Sequence, residues 1–542
     1  MVFRAVENRR YLIRAASTLT ITGAAKVNRR VRGLFLALLS GSLLVLTFPK
    51  MDLWPFAFIA LTPLLLALRG AGWRRAAGLG LAAGLVFFVG TLCWVVPTVI
   101  RYGGLSWTAA TGILLLLATY LALYFAGFTA CVAALRHRGV AFVLSTAGLW
   151  VAFELLRSNL FTGFPWNLLG HSQYRNLPLI QIAALTGVYG VSFLVAGVNA
   201  AIADVLVANG KWRARAGSVA TAVLLAGAAI VYGLTDYSQI ALPSIRVALL
   251  QGNISQKIKW DPAFQDETLL LYRDLTLAQD SFRPDLVVWP ETAVPFFLRH
   301  DPRRHVVEKV AAEISAPLLV GAPDRGGELN SRYTVSAFLI TPKNGIAGKY
   351  DKIHLVPFGE YVPLRRILFF VNKITQGAIG DFTPGTEFTV FSIPAGRFGV
   401  SISYEIYFPS EVRRFVQNGA EFLVNITNDA WYGRSAAPYQ HLAMVVFRAV
   451  ENRRYLVRAA NTGISAVVAP DGRILSASGF FERTALKATI AANSSLTPYA
   501  RYGDLFGWGT ATAAGIALLR AVATARSGIQ TWPGFRRRSG DP

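Results

Sequence analysis

The chain has 542 residues, too many for one ordinary domain, is 53% hydrophobic and only 15% charged, and carries a net charge of +24. An average soluble domain is about 25% charged, and here the apolar excess lies in long runs, which excludes an ordinary soluble enzyme and marks a membrane protein. The basic residues cluster in short segments between those runs, so the charge does not signal nucleic acid, and no nucleic-acid partner is expected.

Residues 1–32 form a basic N-terminal segment with Arg4, Arg9, Arg10, Arg14, Lys26, Arg29, Arg30 and Arg32. It contains "FRAVENRRYLIRAA" at 3–16, which differs from "FRAVENRRYLVRAA" at 447–460 only in Ile13 against Val457. The second copy continues into "NTGISAVVAPDG", a strand and turn on which a helix can pack. The first has no such continuation and reads as a duplicated start without a role of its own.

A bilayer core takes about 20 apolar residues per helix. Seven such spans fall at roughly 33–49, 54–70, 76–100, 108–135, 140–157, 178–208 and 215–235, which makes 33–235 a transmembrane domain, and an eighth falls at 504–525. Pro97 permits a kink in the third. Arg69, Arg74 and Arg75, then Arg136 and Arg138, then Lys211, Arg213 and Arg215 occupy alternate loops, on the same side as the basic tail 526–542. The rule that basic loops stay inside puts both termini in the cytoplasm. The segment between the seventh and eighth spans then lies outside. Cys93 and Cys131 both lie in apolar runs, so no disulfide framework is present, and the six histidines are scattered. No metal or cofactor is expected.

Residues 244–492 alternate β-rich runs such as "IRVALLQGN", "DLVVWPE", "PLLVGAP" and "AEFLVNITN" with mixed-charge helical stretches, the pattern of a layered α/β domain. Three of its strand ends carry candidate chemistry. In "VVWPETAVP", Glu291 sits between two prolines, and a carboxylate lodged beside Trp289 would have a raised pKa suited to general-base work. In "GKYDKIHLVPFGEYVP", Lys352 can hold a developing oxyanion and Glu360 can pair with it or accept a proton, while Lys349 and Asp351 read as a solvated charge run. In "FGVSISYEIYFPSE", Ser403 ends a strand where a nucleophile would stand. A structural role in capping the next helix fits Ser410 better. A Ser–His hydrolase would need His354 as base and lacks G-x-S-x-G. Glu, Lys and a nucleophile at successive strand ends make a different triad, in which a cysteine is the ordinary nucleophile because a thiol ionises far more readily than a hydroxyl.

These motifs resemble the nitrilase (carbon–nitrogen hydrolase) superfamily, and with the flanking helices the chain is similar to its membrane-embedded branch, the apolipoprotein N-acyltransferases. "WPETAVP", "YDKIHLVPFGEYVP", "SYEIYFP" and "NITNDAWYG" carry the resemblance, which spans about 33–525. It implies an αββα sandwich beside about eight transmembrane helices, a phospholipid acyl donor of the phosphatidylethanolamine type, and a diacylglyceryl apolipoprotein acceptor. It also implies a monomer in the bacterial inner membrane with a periplasmic catalytic domain. Glu291 matches the base, Lys352 the oxyanion lysine, Glu360 an additional essential glutamate, and Tyr404 and Glu405 the pair after the nucleophile. Trp260 and Pro363 match supporting positions. Where the family has "CYE" this chain has "SYE", so Ser403 implies an inactivated or strongly impaired form. A membrane-anchored amidase and a catalytically silent lipid- or lipoprotein-binding homologue are the alternatives. The segment 365–382 reads equally as an arm dipping into the membrane interface or as a packed amphipathic helix, and Trp166, in the loop "FTGFPWNLLGHSQYRN", as an interfacial anchor at a lipid entrance.

Overall fold

A computed structural model describes residues 30–135, 137–207, 212–234, 244–326, 332–362 and 381–527. The first copy of the repeat, Pro363, most of the 365–382 arm and the end of the basic tail lie outside the described residues. Among these residues six helices are long and apolar enough to cross a membrane: Trp73–Leu92, Trp107–Leu135, Gly139–Thr162, Val188–Val207, Arg215–Gly233 and Leu505–Thr524. The helix over 30–46 and the apolar run Trp54–Ala67 are shorter.

Three expected spans are broken, each for a local reason. The span expected at 54–70 folds as Ala57–Ala60 and Thr62–Ala67, with Pro63 at the start of the second piece. Asn199 Oδ1 takes up the main-chain N–H groups of Leu61 and Thr62 at 2.8 and 3.0 Å, so two donors freed by the break are satisfied in an apolar setting. The span expected at 76–100 stops at Leu92, and Val95–Gly103, which contains Pro97, starts a separate helix. The span expected at 178–208 breaks at Gly187, whose φ of +66° suits glycine and whose absent Cβ would lie 2.6 Å from the Tyr499 ring.

The second domain consists of two six-stranded sheets. The first runs β12 (Thr484–Ala491), β1 (Ser244–Gln251), β2 (Leu286–Val288), β3 (Leu318–Arg325), β4 (Tyr333–Thr341), β5 (Gly345–Asp351). The second runs β11 (Ile474–Ala477), β10 (Ala466–Val468), β9 (Leu456–Ala460), β8 (Phe422–Thr427), β7 (Gly396–Ile402), β6 (Val390–Ile393). Parallel β1–β2–β3 and β7–β8–β9 form the two centres, with antiparallel edges. The period of two decides the layering. Val247 and Leu249 of β1 join Phe398, Val400, Phe422 and Val424 of the second sheet in one core. Ala248 and Leu250 face the other way, onto Leu269 and Tyr272 of helix Gln265–Leu277 and Val307 and Val310 of helix Arg304–Ile314.

Helix Ala437–Asn452 is buried on nearly every side, because it lies between the second sheet and the membrane helices. Gln440 in it donates to Pro49 O and Thr91 O, each at 3.1 Å, and accepts from Trp166 Nε1 at 2.8 Å. Glu451 accepts from Val188 N at 3.0 Å. The second copy of the repeat thus spans the end of this helix and strand β9, and its arginines are interior. Arg448, Arg454 and Arg458 are each 1% exposed or less, held by Glu451, by main-chain carbonyls and by Asp429.

Candidate active site

Four strand ends converge. Glu291 follows β2, Lys352 follows β5, Ser403 follows β7 and Asn428 follows β8, all at C-terminal ends, where α/β sheets place their ligands. Lys352 is fully buried, with Nζ 2.6 Å from Glu360 Oε1 and 3.9 Å from Glu291 Oε1. Glu360 is fixed at its other oxygen by the Val356 N–H at 2.8 Å. Burial opposes the Lys352 charge, but Glu360 and Glu291 outweigh it and hold the ammonium pKa above its ordinary value. Burial pushes the Glu291 carboxyl up, Lys352 opposes that shift and Glu360 adds to it. A raised carboxylate beside a charged lysine is the equipment of a general base with an oxyanion partner.

Position 403 stands on a turn that only a tight strand-to-helix reversal needs, with φ of +51°. Its neighbours Ile402 and Tyr404 are buried while Ser403 is partly exposed. Ser403 Oγ accepts from Thr427 Oγ1 at 3.3 Å, and the next residue, Asn428, donates its N–H to Glu291 Oε2 at 2.8 Å. Glu405 pins the two halves together. Its Oε1 accepts from Tyr350 OH (2.7 Å) and from the N–H groups of Ile353 (2.6 Å) and His354 (3.2 Å), and its Oε2 accepts from Ile402 N (2.7 Å). Behind position 403, Asp429 binds Arg458 at 2.7 Å and His441 at 3.3 Å, all buried.

Two family models match, one described as apolipoprotein N-acyltransferase N-terminal domain over residues 40–201 and one as carbon-nitrogen hydrolase over 246–499. The apolipoprotein N-acyltransferase of Geobacter metallireducens is 43% identical over 92% of this chain and 96% of its own length. The chain belongs to the apolipoprotein N-acyltransferase family. The Methylococcus capsulatus member is 35% identical over 88% of this chain and 93% of its own. Among solved structures, Saccharomyces cerevisiae Nit3, of the nitrilase superfamily, aligns with TM-score 0.37 and 19% identity over 47% of this chain and 93% of that one.

Within this apolipoprotein N-acyltransferase family chain, Glu291, Lys352 and Glu360 sit as one cluster, and Glu405 is their scaffold. Tyr404 is buried at the seam with the membrane domain, its hydroxyl 3.5 Å from Gly163 O. Trp260 is 48% exposed and lines a cavity of about 490 Å³ with Pro295 and Phe296. Four expectations need correction. Trp166 is no interfacial anchor: it is 2% exposed, between Trp94 and Tyr407, because its loop folds inward onto Gln440. Trp289 does not raise the Glu291 pKa, since it points to the opposite face and stacks on Tyr272. Lys349 and Asp351 are no solvated run; Lys349 bridges buried Asp324 at 2.8 Å and Asp351 at 2.9 Å on an edge strand. Helix Pro409–Gln417 begins without a side-chain cap, so Ser410 caps nothing. His354, not expected as a base, pairs with Glu411 at 2.7 Å and stacks on Phe408. Sequence reasoning missed Lys259, whose Nζ donates to Glu291 O at 3.0 Å, and the Asp429–His441–Arg458 support. Lys259 stands in "KIKWDP", next to Trp260, and that adjacency was the one available signal.

Proposed function

We propose that the chain is built for apolipoprotein N-acyl transfer through a covalent acyl-enzyme at position 403, and that serine there leaves it inactive or strongly impaired. The observation that carries this reading is the Glu291–Lys352–Glu360 cluster joined to position 403 through Thr427 and Asn428. With a thiol at 403, Glu291 takes its proton and the sulfur bonds the acyl carbon of a phospholipid ester. The ester C–O bond breaks and Glu291 returns the proton to the departing lysophospholipid oxygen. Lys352 and a main-chain N–H beyond the nucleophile hold the oxyanion. The α-amine of the diacylglyceryl-cysteine acceptor then attacks the thioester, Glu291 takes its proton and passes it to the leaving sulfur. A hydroxyl stays protonated where a thiol ionises, and the ester it would form yields to amines more slowly, so serine weakens both halves.

Tyr404, Trp260 and Glu405 support the site, and Pro363 belongs to the same motif as Glu360. The alternation of basic loops supports a bacterial inner-membrane protein with this domain on the periplasmic side, and the family resemblance implies a monomer acting on phosphatidylethanolamine-type donors. Ser403→Cys, assayed with labelled phospholipid and a diacylglyceryl lipopeptide, tests the reading. Gain of N-acyl transfer supports it. Turnover of soluble amides alone indicates a membrane-anchored amidase, and no turnover of either indicates a silent binding protein.

A further inference from the structure

Lys259 is 2% exposed, and burial lowers its pKa to about 8 against the opposing effect of Glu291. Its hydrogen-bond acceptor is a main-chain carbonyl, that of Glu291, at 3.0 Å. A neutral amide could make that bond with a smaller desolvation cost, so the bond alone does not account for an ammonium. The charge balance does. Two carboxylates, Glu291 and Glu360, share the site with Lys352, and Lys352 lies closer to Glu360, 2.6 Å against 3.9 Å. The groups that face Glu291 are Lys352, Glu360, Lys259, the Asn428 N–H and the neutral Tyr432 phenol. Lys352 also faces Glu405, so Lys259 is a second cation beside Glu291 in a site where carboxylates outnumber Lys352.

The segment carrying Lys259 also grips Glu291 from its other end. Gln256 Oε1 accepts from Asn428 Nδ2 at 2.8 Å, and Asn428 N holds the Glu291 carboxylate. One short segment, 256–259, thus reaches both the carbonyl of Glu291 and, through Asn428, its carboxylate.

We propose that Lys259 is a positioning residue that keeps Glu291 ionised and seated as the base. The inference rests on the reading of Glu291 as base, and its test needs no lipid turnover. The full chain carrying S403C is alkylated with iodoacetamide across a pH series, and intact mass gives the rate at the introduced thiol. The same series is run on S403C with Lys259→Gln and with Lys259→Arg. Losing the cation raises both the Glu291 and the thiol pKa, so the acid limb of the rate moves up by about one pH unit in the Gln variant. The Arg variant, which keeps the charge, leaves the limb near its original place. An unmoved limb in the Gln variant overturns the proposal, and so does an upward shift in the Arg variant, which is decisive even if the Gln variant does not accumulate. Failure of S403C to transfer acyl chains would remove the acyltransferase reading without touching this result.

Discussion

The main-chain N–H of Asn428 donates to Glu291 Oε2 across 2.8 Å, and it ties the end of β8 in one sheet to the turn after β2 in the other. One residue earlier, Thr427 donates to Ser403 Oγ. The proposed base and nucleophile position are therefore held by consecutive residues of one strand end, so a shift of that strand end moves both partners together. This gives a flexible two-substrate reaction a rigid centre.

Glu360 and Lys352 make opposite predictions for the base. In S403C, Glu360→Gln removes a negative neighbour of Glu291, lowers its pKa, and moves the acid limb of kcat/KM to lower pH. Lys352→Met removes the cation, raises that pKa and moves the limb up, and transfer falls by about 10²–10³-fold as the oxyanion loses its partner. Initial rates of lipopeptide acylation across pH check both signs.

Gly321 lies under the Glu291 turn. A Cβ there would sit 2.5 Å from Pro290 O, 2.7 Å from Thr292 N and 2.8 Å from the Glu291 Cα. All three are backbone atoms, so no side chain can swing aside. Gly321→Ala is expected to displace the base and cut transfer by S403C about tenfold or more while the membrane domain stays folded. Paired rate and detergent-solution thermal-stability measurements test this.

Asp429 is held well below the usual carboxylate range: burial opposes ionisation, and Arg458 and His441 outweigh it. A depressed folded pKa stabilises the fold above the unfolded value and loses that stabilisation as pH falls through the folded one. Asp429→Asn strands the Arg458 charge and costs about 3–5 kcal/mol near pH 7. The gap between the two proteins narrows below about pH 4. Unfolding curves at several pH values would show it.

Much of the site was legible because its residues sit at strand ends inside short motifs. Glu291, Lys352 and position 403 each stand just beyond a β-rich run, while Glu360 was marked by its motif with Lys352 and by the family resemblance. Lys259 was not legible, since its partner lies in a different motif and a lysine beside an exposed tryptophan looks like surface. Arg448, Arg454 and Arg458 also read as a basic surface face. They are interior because a helix wedged between sheet and membrane domain supplies carboxylates and carbonyls from distant segments. The break at Gly187 answers to Tyr499, which no local pattern near 187 announces. Of the fold, the long apolar helices and most central strands of the α/β domain were legible, but the breaks in three spans and the central strand β9, which read as the end of a helix, were not. The edge strands β5, β6, β11 and β12, short or mixed in polarity, were not.

The most direct test is the intact mass of S403C held with a phospholipid of defined acyl chain and no acceptor. The predicted result is a mass increase of one acyl group on the introduced thiol, lost when a diacylglyceryl lipopeptide is added and recovered on its amine. A folded S403C protein that binds phospholipid yet never gains that mass would contradict a covalent acyl-enzyme at position 403.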